Sequence, residues 1–270
     1  MMDEIALTTL AGPLPISTPS GRLAGKICLV TGGATGIGRS TALRMAQEGA
    51  AAVVIGGRRQ AIGEAVAEEL RAAGTEGLFV ATDVTRETEV AGLVATVLQR
   101  FGRLDAAFNN AGFQERRAAL TDQNDAVYSQ VFDTNVRAVF HGLRHQIPAL
   151  LASGGGAIVN NASVSGVRNP NSGFALYSAS KAAAIMLTRS AAMEYAQQRV
   201  RINAVAPGRV VTDMMLASRV ADMRQVAAGL PLRRMGHPEE VAAAVCWLLS
   251  DEASYVVGHV LCADGGFLAG

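Results

Sequence analysis

Tyr177 and Lys181 stand four residues apart in Tyr177-Ser178-Ala179-Ser180-Lys181, at the opening of a long Ala-rich apolar stretch. Positions i and i+4 share one face of a helix, so the phenol and the ammonium can enter the same pocket. A free phenol ionises near pH ~10 and is a poor base at neutral pH, but a neighbouring cation favours its ionised form. The pair is therefore a candidate acid/base for proton transfer. Of the 24 basic residues only Lys26 and Lys181 are lysine and the other 22 are arginine. In such a chain a lysine at 181 looks selected for its compact ammonium, which the planar guanidinium fork does not replace.

A second group of residues suits an anion. Thr31-Gly32-Gly33-Ala34-Thr35-Gly36-Ile37-Gly38 follows a β-rich run and precedes a helical one. Glycines there let the backbone turn tightly and approach a pyrophosphate, whose charge the helix N-terminus favours. The spacing is GxxxGxG, not the GxGxxG of the general dinucleotide fingerprint. The next β-rich run ends in Gly56-Gly57-Arg58-Arg59. An NAD site usually places a carboxylate there for the ribose 2′-hydroxyl. Gly57 offers none, and Arg58, followed by Arg59, offers a cation suited to a 2′-phosphate. NADP(H) is the expected cofactor, with NAD(H) as the alternative.

These groups need a frame. Near-continuous apolar runs at 26–31, 52–55, 77–82, 104–109, 157–162, 201–206 and 260–263 read as parallel strands covered on both faces. Helical stretches at 39–48, 61–73, 88–101 and 177–198 lie between them. Alternation of this kind predicts an α/β fold, a doubly wound parallel sheet of about seven strands in one domain over 22–270. Such sheets bind ligands beyond the carboxyl ends of their strands.

Taken together, TGxxxGIG at Thr31–Gly38, Asn109-Asn110-Ala111-Gly112 and the YxxxK at Tyr177 resemble the short-chain dehydrogenase/reductase family, and the likeness runs over about residues 22–268. The resemblance implies a Rossmann-fold enzyme that moves hydride reversibly between a nicotinamide cofactor and an alcohol or ketone, with Tyr177 as acid/base. It implies that Gly32, Thr35, Gly36, Ile37 and Gly38 hold the pyrophosphate and that Asp83, with Val84, meets the adenine. Asn110, Ala111 and Gly112 would lie behind the adenine end. Ser163 matches the catalytic serine, with Ser165 as the alternative, and Asn135 matches the asparagine that links Lys181 to a water. Pro207, Gly208, Val210 and Thr212 fall in a PGxxxT segment that holds the nicotinamide, where Tyr177 and Lys181 also meet the cofactor. A 3-oxoacyl-thioester reductase would carry all these motifs. A non-catalytic dinucleotide sensor on the same fold would be expected to have lost Tyr177 or Lys181.

Composition narrows the partners. Of the 270 residues 50% are hydrophobic and 17% charged, and the formal net charge is +1. That balance offers no field for nucleic acid, and no apolar run reaches the ~18 residues of a membrane span. Cys28, Cys246 and Cys262 are odd in number and widely spaced, so neither a disulfide framework nor a metal site is expected. Each reads as a small buried hydrophobe in a reducing, cytoplasmic setting. Residues 1–21 carry no basic start before an apolar segment and read as a loose tail. Met214, Met215, Leu216, Val220, Met223 and Val226 resemble the family's lid and suggest a substrate with an apolar body. Arg116, Arg117 and Arg168 are candidates to meet an anionic group on it. The helix after Tyr177 is apolar around much of its girth, which predicts a homotetramer.

Overall fold

All seven apolar runs form strands in a computed structural model that describes residues 10–12, 19–168, 172–217 and 222–270. They are β1 (Ile27–Thr31), β2 (Ala52–Gly57), β3 (Glu76–Ala81), β4 (Ala106–Asn109), β5 (Gly156–Asn161), β6 (Val200–Pro207) and β7 (Val260–Ala263). They pair in parallel in the order β3-β2-β1-β4-β5-β6-β7. The chain therefore runs outward from β1 to β3 and returns to place β4 beside β1. The crevice beyond the carboxyl ends of β1 and β4 is the switch point where such sheets bind ligands.

Strand β2 runs two residues past its apolar core. Gly56 pairs with Thr31 and Val80, and Gly57 pairs with Ala81. A Cβ at Gly56 would lie 2.7 Å from the Leu93 side chain, so close packing of a helix, not turn chemistry, explains this glycine.

Helices cover both faces. On one lie α1 (Gly36–Gln47), α2 (Gln60–Ala72) and α10 (Pro238–Leu249), contributing Met45, Leu70 and Val245 to one core. On the other, α3 (Glu87–Phe101), α5 (Ala138–Ala152) and α7 (Ala175–Tyr195) contribute Leu93, Leu150 and Ala184. Shorter helices are α4 (Asp125–Phe132), α6 (Val164–Val167), α8 (Asp213–Ala217) and α9 (Met223–Gly229). A π-helical turn, Asp133–Arg137, joins α4 to α5. Among the described residues no helix is long and apolar enough to cross a membrane.

Two expectations change. Cys28 and Cys246 are buried, and burial pushes the Cys28 thiol up to about 12, but Cys262 on the edge strand β7 is exposed. Inward alternation on a strand with one free edge covers fewer positions than the apolar run suggested. The stretch read as a loose tail also has fixed points. Leu10 and Ala11 are buried against Val211, Ala227, Leu230 and Met235, the Leu10 carbonyl accepts the Met235 N–H at 3.0 Å, and the Gly12 carbonyl accepts from the His237 ring at 2.9 Å. Leu10 is apolar enough to repay docking on a groove beside α9. Val220 lies outside the described residues.

The start of the domain is held by one buried carboxylate. Glu48, fully buried, accepts N–H groups of Ser20 (2.9 Å) and Arg22 (3.2 Å) and pairs with Arg44 Nη2 at 2.6 Å. Burial pushes its acid strength down, but these donors and Arg44 outweigh it and hold the carboxyl below its ordinary range. Removing one partner of a buried pair leaves an uncompensated charge. Glu48→Ala is therefore expected to cost about 3–5 kcal/mol in urea unfolding. Because the native carboxyl ionises below the unfolded one, its contribution is complete above pH ~4.3 and disappears as pH falls through the native value. The gap between wild type and variant should narrow below that pH, and a constant gap down to acid unfolding would assign the cost to packing alone.

Candidate active site

The turn after β1 is shaped by steric necessity. Gly36 has φ 51°, in the left-handed region, and a Cβ at Gly38 would overlap the Gly32 carbonyl. Helix α1 begins at Gly36 without a side-chain cap from Thr35, so its first-turn amides are free to meet an anion. Gly32, Thr35, Gly36 and Ile37 line a continuous cleft, and Gly38 packs beneath them.

The cleft follows the carboxyl edge of the sheet. At one end Gly57 closes β2, and Arg58 and Arg59 line the wall directly beyond it. Arg59 donates to the Thr35 hydroxyl at 3.0 Å. Asp83 and Val84 are next. Burial raises the Asp83 carboxyl, but hydrogen bonds from Thr85 and the charges of Arg58 and Arg86 outweigh it and hold it below its ordinary range. Asn110, Ala111 and Gly112 form the floor, and Asn110 Nδ2 donates to the carbonyls of Thr31 and Gly32, both at 3.1 Å.

At the other end the cleft reaches Ser163, Tyr177, Lys181, Pro207, Gly208, Val210 and Thr212. The Tyr177 side chain is half-buried at the cleft, and loss of water around the phenol pushes its pKa up. A hydrogen bond with Ser163 lowers it, the Glu115 charge raises it and the Arg209 charge lowers it. Ser163, not Ser165, is the serine whose hydroxyl lowers the phenol's pKa; Ser165 gives its backbone N–H to Ser163 Oγ, at 3.1 Å. Lys181 Nζ lies 5.7 Å from the centre of the Tyr177 ring and donates to the Asn161 carbonyl at 2.6 Å. Burial pushes this ammonium down to about 8. Within the protein itself, then, burial and Ser163 act most strongly on the phenol.

Asn135 does not line the cleft. It is fully buried in the π turn, where Nδ2 donates to the Phe113 carbonyl (2.8 Å) and Ser180 Oγ (2.9 Å), and Oδ1 accepts the Phe113 N–H. Its side chain is thereby committed to the loop after Gly112 and to the helix that carries Tyr177. A Cβ added at Gly112 would lie 3.5 Å from both Asn135 Oδ1 and Lys181 Nζ, so the two groups are close neighbours.

Three residues that the motifs do not mark belong to this site. Glu115 is buried and accepts the Tyr177 backbone N–H at 3.1 Å, holding the start of α7. Ser180 Oγ bridges Asn135 to the Tyr177 carbonyl, to which it donates at 2.7 Å. Arg209 faces the cleft beside Tyr177. Of the arginines considered for an anionic substrate, Arg168 instead donates to the carbonyls of Gly270 and Phe267, Arg117 donates to Ser172, and Arg116 is exposed. Asp213, Met214 and Met215 line the cleft, whereas Leu216 and Met223 pack away from it on Val211 and Met235.

Comparisons with known proteins point to one family. The profile of a family described as enoyl-(acyl carrier protein) reductase matches residues 32–268. An A-factor type gamma-butyrolactone 1'-reductase (1S-forming) of Streptomyces virginiae is 41% identical over 252 residues, 92% of this chain and 97% of the relative. A cis-4-hydroxycyclohexanecarboxylate dehydrogenase of Sinomonas cyclohexanicum is 44% identical over 246 residues, 90% and 97% of the two chains. The crystal structure of levodione reductase superposes with a TM-score of 0.88 at 35% identity, over 92% of this chain and 99% of that one. With the parallel sheet, the glycine turn and the Tyr177–Lys181 pair on one cleft, this chain is a member of the short-chain dehydrogenase/reductase family and an oxidoreductase acting on alcohol and ketone groups.

Proposed function

We propose that the chain reversibly oxidises a secondary alcohol to a ketone using NADP(H), with Tyr177 as acid/base. The carrying observation is one cleft with an anion-suited turn and Arg58 at one end and Ser163, the Tyr177 phenol and Lys181 at the other. The donor set fits a dinucleotide: free first-turn amides of α1 for the pyrophosphate, and the Arg58 guanidinium directly beyond Gly57, which carries no carboxylate, for a 2′-phosphate. When bound, the nicotinamide supplies the hydride chemistry.

The protein's own groups hold the substrate and move the proton. Ser163 positions the substrate oxygen and stabilises charge developing on it. Tyr177 takes the alcohol proton or returns it to a ketone. Lys181, which burial pushes down to about 8, stands beside Tyr177, and Asn135 fixes the neighbouring turn. The name of the Sinomonas relative describes a ring alcohol, and Met214 and Met215 supply adaptable apolar wall for a body of that kind.

We place the enzyme in the cytoplasm as a homotetramer. Support comes from α7, where Met186 and Met193 are 56% and 79% exposed, and from Phe140 on the neighbouring α5. Light scattering at micromolar protein should give four copies of the 28.0 kDa chain; a stable monomer would contradict this.

Tyr177→Phe should lower kcat by about 10²–10⁴ and leave NADP(H) affinity nearly unaltered, since the phenol acts in proton transfer. A variant that kept more than about a tenth of wild-type kcat would remove Tyr177 from the acid/base role.

Cofactor choice has its own test. A charge-assisted phosphate contact is worth about 1.5–3 kcal/mol, so NADPH should exceed NADH in kcat/KM by roughly tenfold to a hundredfold. Arg58→Ala should erase most of that preference through the KM for NADPH. Gly57→Asp should reverse it, and a Cβ there meets nothing closer than Phe79 at 3.7 Å, so the change should fold. The assays need matched ionic strength. A wild type that favours NADH would overturn the cofactor reading alone.

A further inference from the structure

Six arginines in the described residues are not exposed, and five have a polar partner. Arg22 and Arg44 pair with Glu48, Arg39 with Glu69 and Arg234 with Glu240, while Arg201 donates to the Leu248 and Ser250 carbonyls. The sixth is Arg209. Among the described residues its guanidinium makes no hydrogen bond or ion pair; its neighbours are the Phe267 ring, 5.9 Å away, and the Tyr177 phenol. Burying a cation without an answering anion costs free energy, and burial accordingly lowers its pKa. Such a group in a cleft beside the reacting phenol marks a place where an anion is missing from the protein and supplied by a ligand.

Position separates the two anions that share this chemistry. The cofactor's phosphates belong at the glycine turn and Arg58, at the other end of the cleft. Arg209 follows Gly208 at the end of β6, acts on Tyr177 through its charge, and lines the same cleft as Asp213, Met214 and Met215. The wall there carries Met214 and Met215 with Asp213 beside them, so a ligand meets apolar side chains and one cation 5.9 Å from the Phe267 ring. A planar fork of this kind takes a carboxylate through two parallel hydrogen bonds.

We propose that Arg209 is a substrate-recognition residue that binds a carboxylate on the far end of the alcohol or ketone, so that the preferred substrates are hydroxy and oxo acids with an apolar body. This rests on the alcohol/ketone reading above and sharpens it. Arg116, Arg117 and Arg168, which the sequence offered for such a role, are exposed or turned to other partners.

The test uses the full chain with NADP⁺, cis-4-hydroxycyclohexanecarboxylate and its methyl ester. Wild type should favour the acid in kcat/KM by about tenfold to a hundredfold, the range of a charge-assisted contact. Arg209→Gln should remove that preference, mainly through KM. Calorimetry reads recognition apart from turnover: cyclohexanecarboxylate should bind the NADP⁺ complex of wild type and of Tyr177→Phe, and bind the Arg209→Gln complex at least tenfold more weakly. Titration with NADP⁺ alone distinguishes the other source of anion. Equal losses on acid and ester, equal binding of the carboxylate to wild type and Arg209→Gln, or a defect confined to NADP⁺ affinity would each overturn the proposal. Carboxylate binding that depends on Arg209, together with undiminished turnover in Tyr177→Phe, would instead sink only the acid/base reading.

Discussion

Side-chain amides tie the carboxyl ends of β4 and β5 to the turn after β1, and both halves of the cleft depend on that spacing. Asn109 and Gln146 exchange hydrogen bonds of 2.9 and 2.7 Å, and Asn109 Nδ2 also donates to Asn160 Oδ1, whose own amide reaches Thr188 on α7. One residue further along each strand, Asn161 donates to Asn110 Oδ1, and Asn110 holds the carbonyls of Thr31 and Gly32. The Asn161 carbonyl then receives Lys181 Nζ. Each of these amides is largely removed from water, so any one left unpaired carries a desolvation penalty. A small change of strand spacing would break several bonds together, and that cooperativity keeps the glycine turn and the Tyr177 helix in register.

The frame is legible in the sequence because parallel strands buried on both faces must be continuous apolar runs, and the motif residues fall where those runs stop. The ends are less legible. Gly56 and Gly57 lie beyond the apolar run at 52–55 but complete β2, since pairing and the approach of Leu93 decide the matter. Within the site, the Tyr177–Lys181 spacing reveals a shared face, and the glycine turn reveals an anion cradle. Glu115, Ser180 and Arg209 carry no such pattern. They act through neighbours remote in sequence: Glu115 through the Tyr177 N–H, 62 residues away, and Ser180 through Asn135, 45 residues away. An acid in a loop and a serine in a helix read as surface residues until the fold has buried them.

Burial also sets the electrostatic character of the reacting end. It moves the phenol up and the ammonium down, drawing both groups toward their neutral forms. The opposing influences are local: the Ser163 hydroxyl and the Arg209 charge favour the phenolate, while Glu115 disfavours it. The proton affinity of Tyr177 is thus a balance struck by four elements of the fold, the turn after β5, the turn after β6, the loop after β4 and the apolar enclosure itself.

The docked segment at Leu10–Gly12 has a consequence for how the molecule is made. Gly12 and His237 are 225 residues apart in sequence, yet they touch, and Phe267 packs in the same cluster as Leu10. During synthesis β1, β2 and β3 leave the ribosome well before β7 and Phe267. The Leu10–Gly12 segment must therefore stay undocked until residues 211–267 exist, when its groove is first assembled. Closing so long a loop costs entropy that only the finished core can repay. The wall facing the substrate is thus completed only after β7 and Phe267 have joined the fold.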